Sequence, residues 1–111
     1  MTKVRLATVK ETGERYLVMR LHLPRDPADP AKVYCWGEVA KTKGRRTTHG
    51  PARLFLRDEV EVVEVEKTDE LMHRLWMQYI RKLRAEGHDI EVHQTRAGNW
   101  HATDRTGRAA L

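Results

Sequence analysis

The stretch TDELMHRLWMQYIRKLRAEG, residues 68–87, decides the architecture. Its apolar side chains are Leu71, Met72, Leu75, Trp76, Tyr79, Ile80 and Leu83, adjacent pairs that recur every four positions. That period draws one stripe along an amphipathic helix from about Asp69 to Glu86. Arg74, Gln78, Arg81, Lys82 and Arg84 fall off the stripe. Thr68 or Asp69 suits the N-cap, and Asp69 and Glu70 complement the positive end of the helix dipole. Gly87 follows Lys82 and Arg84 where a stop belongs. Burying seven such side chains returns roughly 10–20 kcal/mol, while ordering the backbone costs about 1–2 kcal/mol per residue. Propensity alone cannot hold this helix. It needs an apolar surface, either the chain's own sheet or a second copy.

On the N-terminal side the chain reads as short strands. Lys3 to Val9 is the first, and Lys10-Glu11-Thr12-Gly13-Glu14 is a turn. Arg15 to Leu23 alternates, with Leu17, Met19, Leu21 and Leu23 on one face and Tyr16, Val18, Arg20 and His22 on the other. A period of two predicts a half-buried strand paired to the first as a hairpin. Pro24, Pro27 and Pro30 then make a stiff surface loop. Lys32 to Ala40 is a further strand with a bend at Gly37, directing Val33, Cys35 and Val39 one way and Tyr34 and Trp36 the other. Lys41 to Pro51 is a polar basic loop, and Ala52 to Arg57 a short strand. Val60 to Glu66 changes apolar phase midway, which predicts a bulge or sharp bend near Val62.

Beyond the helix, Asp89 to Thr95 and Asn99 to Thr103 form a hairpin around Arg96-Ala97-Gly98. The implied register pairs Val92 with Ala102, His93 with His101 and Gln94 with Trp100. Residues 1–103 read as a single domain (3–66 strand-rich, 69–86 helix, 89–103 hairpin), and 104–111 as a flexible tail.

The 111 residues suit one domain, and hydrophobic content of 40% with 33% charged residues is not a disorder composition. Cys35 is the only cysteine, so no internal disulfide forms and a reducing, cytoplasmic setting is expected. The first ten residues lack the apolar core of a signal peptide, and no apolar run spans a bilayer. Net charge is +5 and unevenly spread. Lys41, Lys43, Arg45, Arg46, Arg53 and Arg57 lie in a stretch without an acid, followed directly by Asp58, Glu59, Glu61, Glu64, Glu66, Asp69 and Glu70.

Six histidines invite a metal, with His93 facing His101 the best pair and His88 a third, but no H-x-x-x-H or C-x-x-C pattern supports it. Cys35 between Tyr34 and Trp36 reads as a buried, inert thiol. Gly44 to Gly50 is not a nucleotide-hydrolase loop, although its arginines and threonines suit contacts to a phosphate backbone. Tyr16, Tyr34 and Trp36, if outward, form an aromatic patch beside the basic loop. Such a patch stacks on single-stranded nucleic acid or lines a peptide groove. No catalytic constellation stands out, and no cofactor is implied.

From Lys3 to Glu66, two strands joined at Glu11-Thr12-Gly13-Glu14, a long loop, a strand with an aromatic pair, another hairpin loop and a valine-rich strand together resemble an SH3-like small β-barrel. That superfold includes Tudor and KOW-type domains and many bacterial, phage and plasmid accessory domains. The resemblance implies an α+β protein, a small antiparallel, partly open barrel with one amphipathic helix and a C-terminal hairpin added. It implies binding rather than catalysis. The expected function is non-enzymatic nucleic acid binding through Lys41, Lys43, Arg45, Arg46, Arg53, Arg57, Tyr34 and Trp36. The alternative is a protein-protein interaction module, homodimeric or regulatory, using the helix stripe from Leu71 to Leu83 and the aromatic strand face. No membrane partner is expected.

Overall fold

A computed structural model describes residues 2–41 and 47–105. The fold is α+β. β1 (Lys3–Val9), β2 (Arg15–His22), β3 (Lys32–Cys35), β6 (Arg53–Leu56) and β7 (Val60–Glu66) build one antiparallel sheet in the order β6-β3-β2-β1-β7. β4 (Val39–Lys41) and β5 (Thr47–His49) form a separate ribbon, and β8 (Ile90–Gln94) and β9 (Trp100–Asp104) a second one. One helix, α1, runs Asp69–Ala85.

The large sheet is curled. Its two edge strands are joined only by a 3₁₀ turn, Arg57–Glu59. Leu56 and Val60 are therefore at most about 14 Å apart along the chain, whereas a flat five-stranded sheet separates its edges by about 19 Å. The edges approach without pairing, so the sheet remains open. Its inner face holds Ala7, Tyr16, Val33, Cys35 and Val60, with Val9, Val18, Phe55 and Val62 against them.

A second cluster joins Leu6 and Leu17 of the sheet, Val39 of the ribbon, Leu75, Trp76, Ile80 and Leu83 of α1, and Ile90 of the last hairpin. The apolar partner that the helix requires is thus the chain's own sheet. Leu75, Trp76, Ile80 and Leu83 are buried there, while Leu71, Met72 and Tyr79 pack at its margin half-buried. This removes most of the stripe as an interface for another chain. The helix begins as expected, with Thr68 Oγ1 accepting a hydrogen bond from the Leu71 amide at 3.1 Å. It ends where His88 N donates to Leu83 O at 3.0 Å.

The expected strand Lys32 to Ala40 is split into β3 and β4, and β5 lies within the stretch expected as a loop. β7 and β2 also differ from expectation, for one physical reason. β7 carries no bulge, and pairs with β1 without interruption from Lys3↔Glu66 to Val9↔Val60. Its apolar residues change phase because the sheet has two apolar faces: Val60 and Val62 serve the inner cluster, Val65 the helix cluster. The irregularity lies in β2 instead, where the register with β3 shifts between Val18 and Arg20. The alternation from Leu17 to Leu23 therefore does not share one buried face. Tyr16 and Leu17 are both buried, on opposite faces, while Met19, Leu21 and Leu23 are exposed.

Gly37 marks a close backbone crossing, where β3 gives way to β4. A Cβ there would lie 2.4 Å from the Gly50 carbonyl carbon and oxygen and from Pro51 O. All three are backbone atoms that cannot swing aside. Gly37→Ala is expected to cost about 1–3 kcal/mol, as overpacking does, and a thermal melt should shift down by several degrees. An unchanged melt would contradict the crossing.

The C-terminal hairpin has the expected register, Val92↔Ala102, His93↔His101 and Gln94↔Trp100. Gly98 takes φ +86° at its tip, where only glycine is unstrained. β9 ends at Asp104, which accepts from His88 at 3.1 Å, and Arg105 Nη2 reaches Glu91 at 2.6 Å; residues 106–111 of the expected tail lie outside the described residues. No described helix is long and apolar enough to cross a membrane.

Candidate nucleic-acid interface

Residues directly opposite on antiparallel strands share a face. Tyr34 sits opposite both Arg20 and Leu54, and Lys32 opposite both His22 and Leu56. Val33 and Cys35, flanking Tyr34, belong to the inner cluster, so these two rows lie on the outward face. Neither row contains a carboxylate. Leu54 and Leu56 are exposed there. Arg20 lies over the Tyr34 ring at 4.4 Å, a cation–π contact, and His22 meets the same ring edge-on at 6.4 Å.

Trp36 continues this face just past the end of β3. It is 42% exposed, with its indole against the His49 imidazole at 5.2 Å. Tyr34 and Trp36 are two residues apart along an extended chain, about 7 Å. His49 Nδ1 is buried with no hydrogen-bond partner among the described residues.

Tyr16 does not join this patch. Its ring is 3% exposed and packs against Phe55 at 5.6 Å in the inner cluster. Strand parity misleads here, because both faces of the sheet are apolar at that point. The tyrosine hydroxyl instead enters a polar junction between sheet and helix. It donates to Glu14 and accepts from Lys82 Nζ at 2.7 Å. Lys82 Nζ also meets Glu14 Oε2 at 2.5 Å and Glu38 Oε1 at 2.9 Å. Glu38 in turn pairs with Arg53, whose guanidinium lies over the Tyr16 ring at 5.1 Å.

Of the basic residues expected to contact phosphate, Arg53 is therefore neutralised by Glu38. Arg57 Nη1 donates to Val60 O at 3.1 Å and braces the turn joining the sheet edges. Lys41 belongs to β4 by its backbone, and Lys43, Arg45 and Arg46 lie outside the described residues. The acidic block is drawn away. Glu61, Glu64 and Glu66 are on β7, the edge strand opposite β6, and Glu64 pairs with Lys3 at 3.7 Å. Arg53 on β6 and Glu61, Glu64 and Glu66 on β7 thus lie on different edge strands of the sheet.

Compared with protein-family models, curated proteins and solved structures, the chain gives no match.

The remaining candidates are chemically quiet. Burial pushes the Cys35 thiol up to about 11, so little thiolate forms near neutrality. His93 and His101 stack at 5.8 Å on the hairpin's exposed side, and no group of three or more metal-ligating side chains occurs among the described residues. Arg20, His22, Lys32 and His49 lie beside Tyr34 and Trp36, where the sequence alone did not place them. The strand register, with its shift in β2, brings Arg20, His22 and Lys32 to Tyr34, and the β4–β5 ribbon brings His49 to Trp36.

The Lys82 junction has a pH signature. Burial works against the charges of Glu38 and Lys82, but hydrogen bonds outweigh it: the bond to Lys82 lowers Glu38, and the bonds to Glu14, Tyr16 and Glu38 raise Lys82. Glu14 is lowered chiefly by its hydrogen bond to Lys82. A lowered carboxylate stabilises the fold above its unfolded value and loses that contribution as pH falls through its folded value. A raised lysine contributes fully below its unfolded value and loses it as pH rises through its folded value. The junction is therefore fully effective between roughly pH 5 and pH 10. Lys82→Met should cost about 1–3 kcal/mol at pH 7, discounted from a fully buried pair because these side chains are partly wet. It should also flatten the stability loss between pH 5 and pH 3. Equal acid sensitivity in both proteins, measured by urea unfolding, would remove the junction from the account.

Proposed function

We propose that this protein binds single-stranded nucleic acid on the outward face of β2, β3 and β6. The observation that carries the reading is the Tyr34–Arg20 contact on a carboxylate-free row, with the Trp36–His49 ring pair just past the end of β3. Aromatic rings on a sheet, flanked by cations, stack successive bases while the cations meet phosphates. Lys41, Lys43, Arg45 and Arg46 are added to these on their charge in the sequence alone. Arg53 and Arg57 act indirectly, holding Glu38 and the turn between the sheet edges. No enzymatic step and no cofactor belong to this reading.

The curled sheet is read with it as an SH3-like, partly open barrel. β7 returns beside β1 to close the meander β1-β2-β3-β6, and the β4–β5 ribbon is an insertion carrying the basic loop. This supports a binding scaffold without fixing the ligand.

Leu54 and Leu56, 53% and 38% exposed on the edge strand β6, favour a second reading in which the same face docks a protein. A labelled oligonucleotide separates the two. Nucleic acid binding should weaken steeply with salt, whereas an apolar protein contact should not.

A further inference from the structure

A groove of about 460 Å³ runs between the β1–β2 turn and α1, away from the aromatic face. Its floor is Leu71, Leu75 and Met77, and its rim carries Arg15, Arg74 and Arg81. The walls are held in place. The Gln78 side chain accepts from the Arg15 amide at 2.8 Å and donates to the Arg15 carbonyl at 2.9 Å, as a neighbouring strand would. Arg15 and Arg81 form no salt bridge with a described carboxylate, and Arg74 is held only by the exposed Glu70 at 2.6 Å.

We propose that this groove binds a small organic anion with an apolar body, its acidic group held by Arg15 and Arg81 and its body laid on Leu71, Leu75 and Met77. The volume lies within the range of small-molecule sites, which combine an apolar lining with a few placed polar groups. The charge of the occupant follows from a rim with three guanidiniums and one weakly engaged carboxylate. Guanidinium forks pair well with carboxylate, sulfonate or phosphate oxygens. The one ring in the lining, His73, is already packed on Trp100 at 4.7 Å, and none of the lining residues belongs to the outward face of β2, β3 and β6 apart from the chain's entry into β2 at Arg15.

The test is titration of the intact protein with anilinonaphthalene sulfonate, whose fluorescence rises in an apolar site. Saturable binding at one site is expected, displaced by octanoate but not by equimolar inorganic phosphate. Arg15→Glu and Arg81→Glu should each weaken it at least about tenfold while the cooperative melt is kept, and Arg25→Glu, in the proline loop, should leave it unchanged. Three results would overturn the proposal. They are binding that ignores both charge reversals, displacement by phosphate as effective as by octanoate, and displacement by a thymidine oligonucleotide, which would make the groove part of the nucleic acid track. The dye assay does not depend on nucleic acid affinity, so either proposal can fail alone.

Discussion

Trp76→Ala is expected to lower the unfolding free energy by about 3–5 kcal/mol. The indole is 1% exposed and sits among Leu6, Leu17, Leu75, Ile80 and Ile90, where sheet, helix and last hairpin meet. Removing it opens a cavity that three separate elements border, and none can collapse into it without losing other contacts. A domain of this size has about 5–15 kcal/mol in total, so much of its stability would go. Trp76→Asp adds an unpaired buried charge and should leave the chain unfolded at neutral pH. Urea unfolding followed by circular dichroism measures both. If Trp76→Asp stayed folded and merely changed an oligomeric state, the helix would be packed on another chain rather than on this sheet.

The second large effect concerns binding. Tyr34→Ala and Trp36→Ala together should weaken single-strand binding by about a hundredfold or more, since each base-aromatic stack is worth roughly 1–3 kcal/mol. Trp36 is exposed and Tyr34 half-buried, and neither belongs to a core cluster, so the double variant should keep its melting temperature within a few degrees. Arg20→Ala removes the cation over Tyr34 and should weaken binding by a smaller factor, about tenfold or less. The pattern matters more than any one value. A double variant with full affinity would mean that the strand contacts only the basic loop.

Much of this architecture was legible in the sequence because it rests on local periodicity. The helix stripe, its Thr68 cap and Gly87 stop, and the His93↔His101 register each follow from spacings within a few residues. The curled sheet was less legible. A strand with one wet face alternates cleanly, but β1, β2 and β7 are apolar on both faces, so parity no longer tells inside from outside. That is why Tyr16 was expected at the surface, why a bulge was expected in β7, and why the real irregularity in β2 was not. The candidate site was half legible. Tyr34 and Trp36 stand out as aromatics beside a basic run. Arg20, His22 and Lys32 join them only through pairing between strands distant in sequence. The Lys82 junction, which links residues 14, 16, 38, 53 and 82, has no sequence signature at all.

The same topology places Arg53 and the acids of β7 on different edge strands. Arg57 and Asp58 both belong to the 3₁₀ turn that carries the backbone from β6 to β7. The acids that follow run along β7, and the outward rows of β2, β3 and β6 keep only cations, aromatics and leucines. Net charge would not have distinguished this arrangement from one in which the blocks cancel.

The most direct test of the central claim is fluorescence anisotropy of a labelled single-stranded oligonucleotide titrated with the wild-type protein at several salt concentrations. If Arg20, Lys32 and the four basic residues Lys41, Lys43, Arg45 and Arg46 each meet one phosphate, the plot of log K against log salt should fall with a slope of about −4. Saturable binding at low salt with that slope, weakened in the Tyr34→Ala/Trp36→Ala protein, is the predicted result. No binding to the single strand at low salt, or equal binding by the double variant, would contradict it.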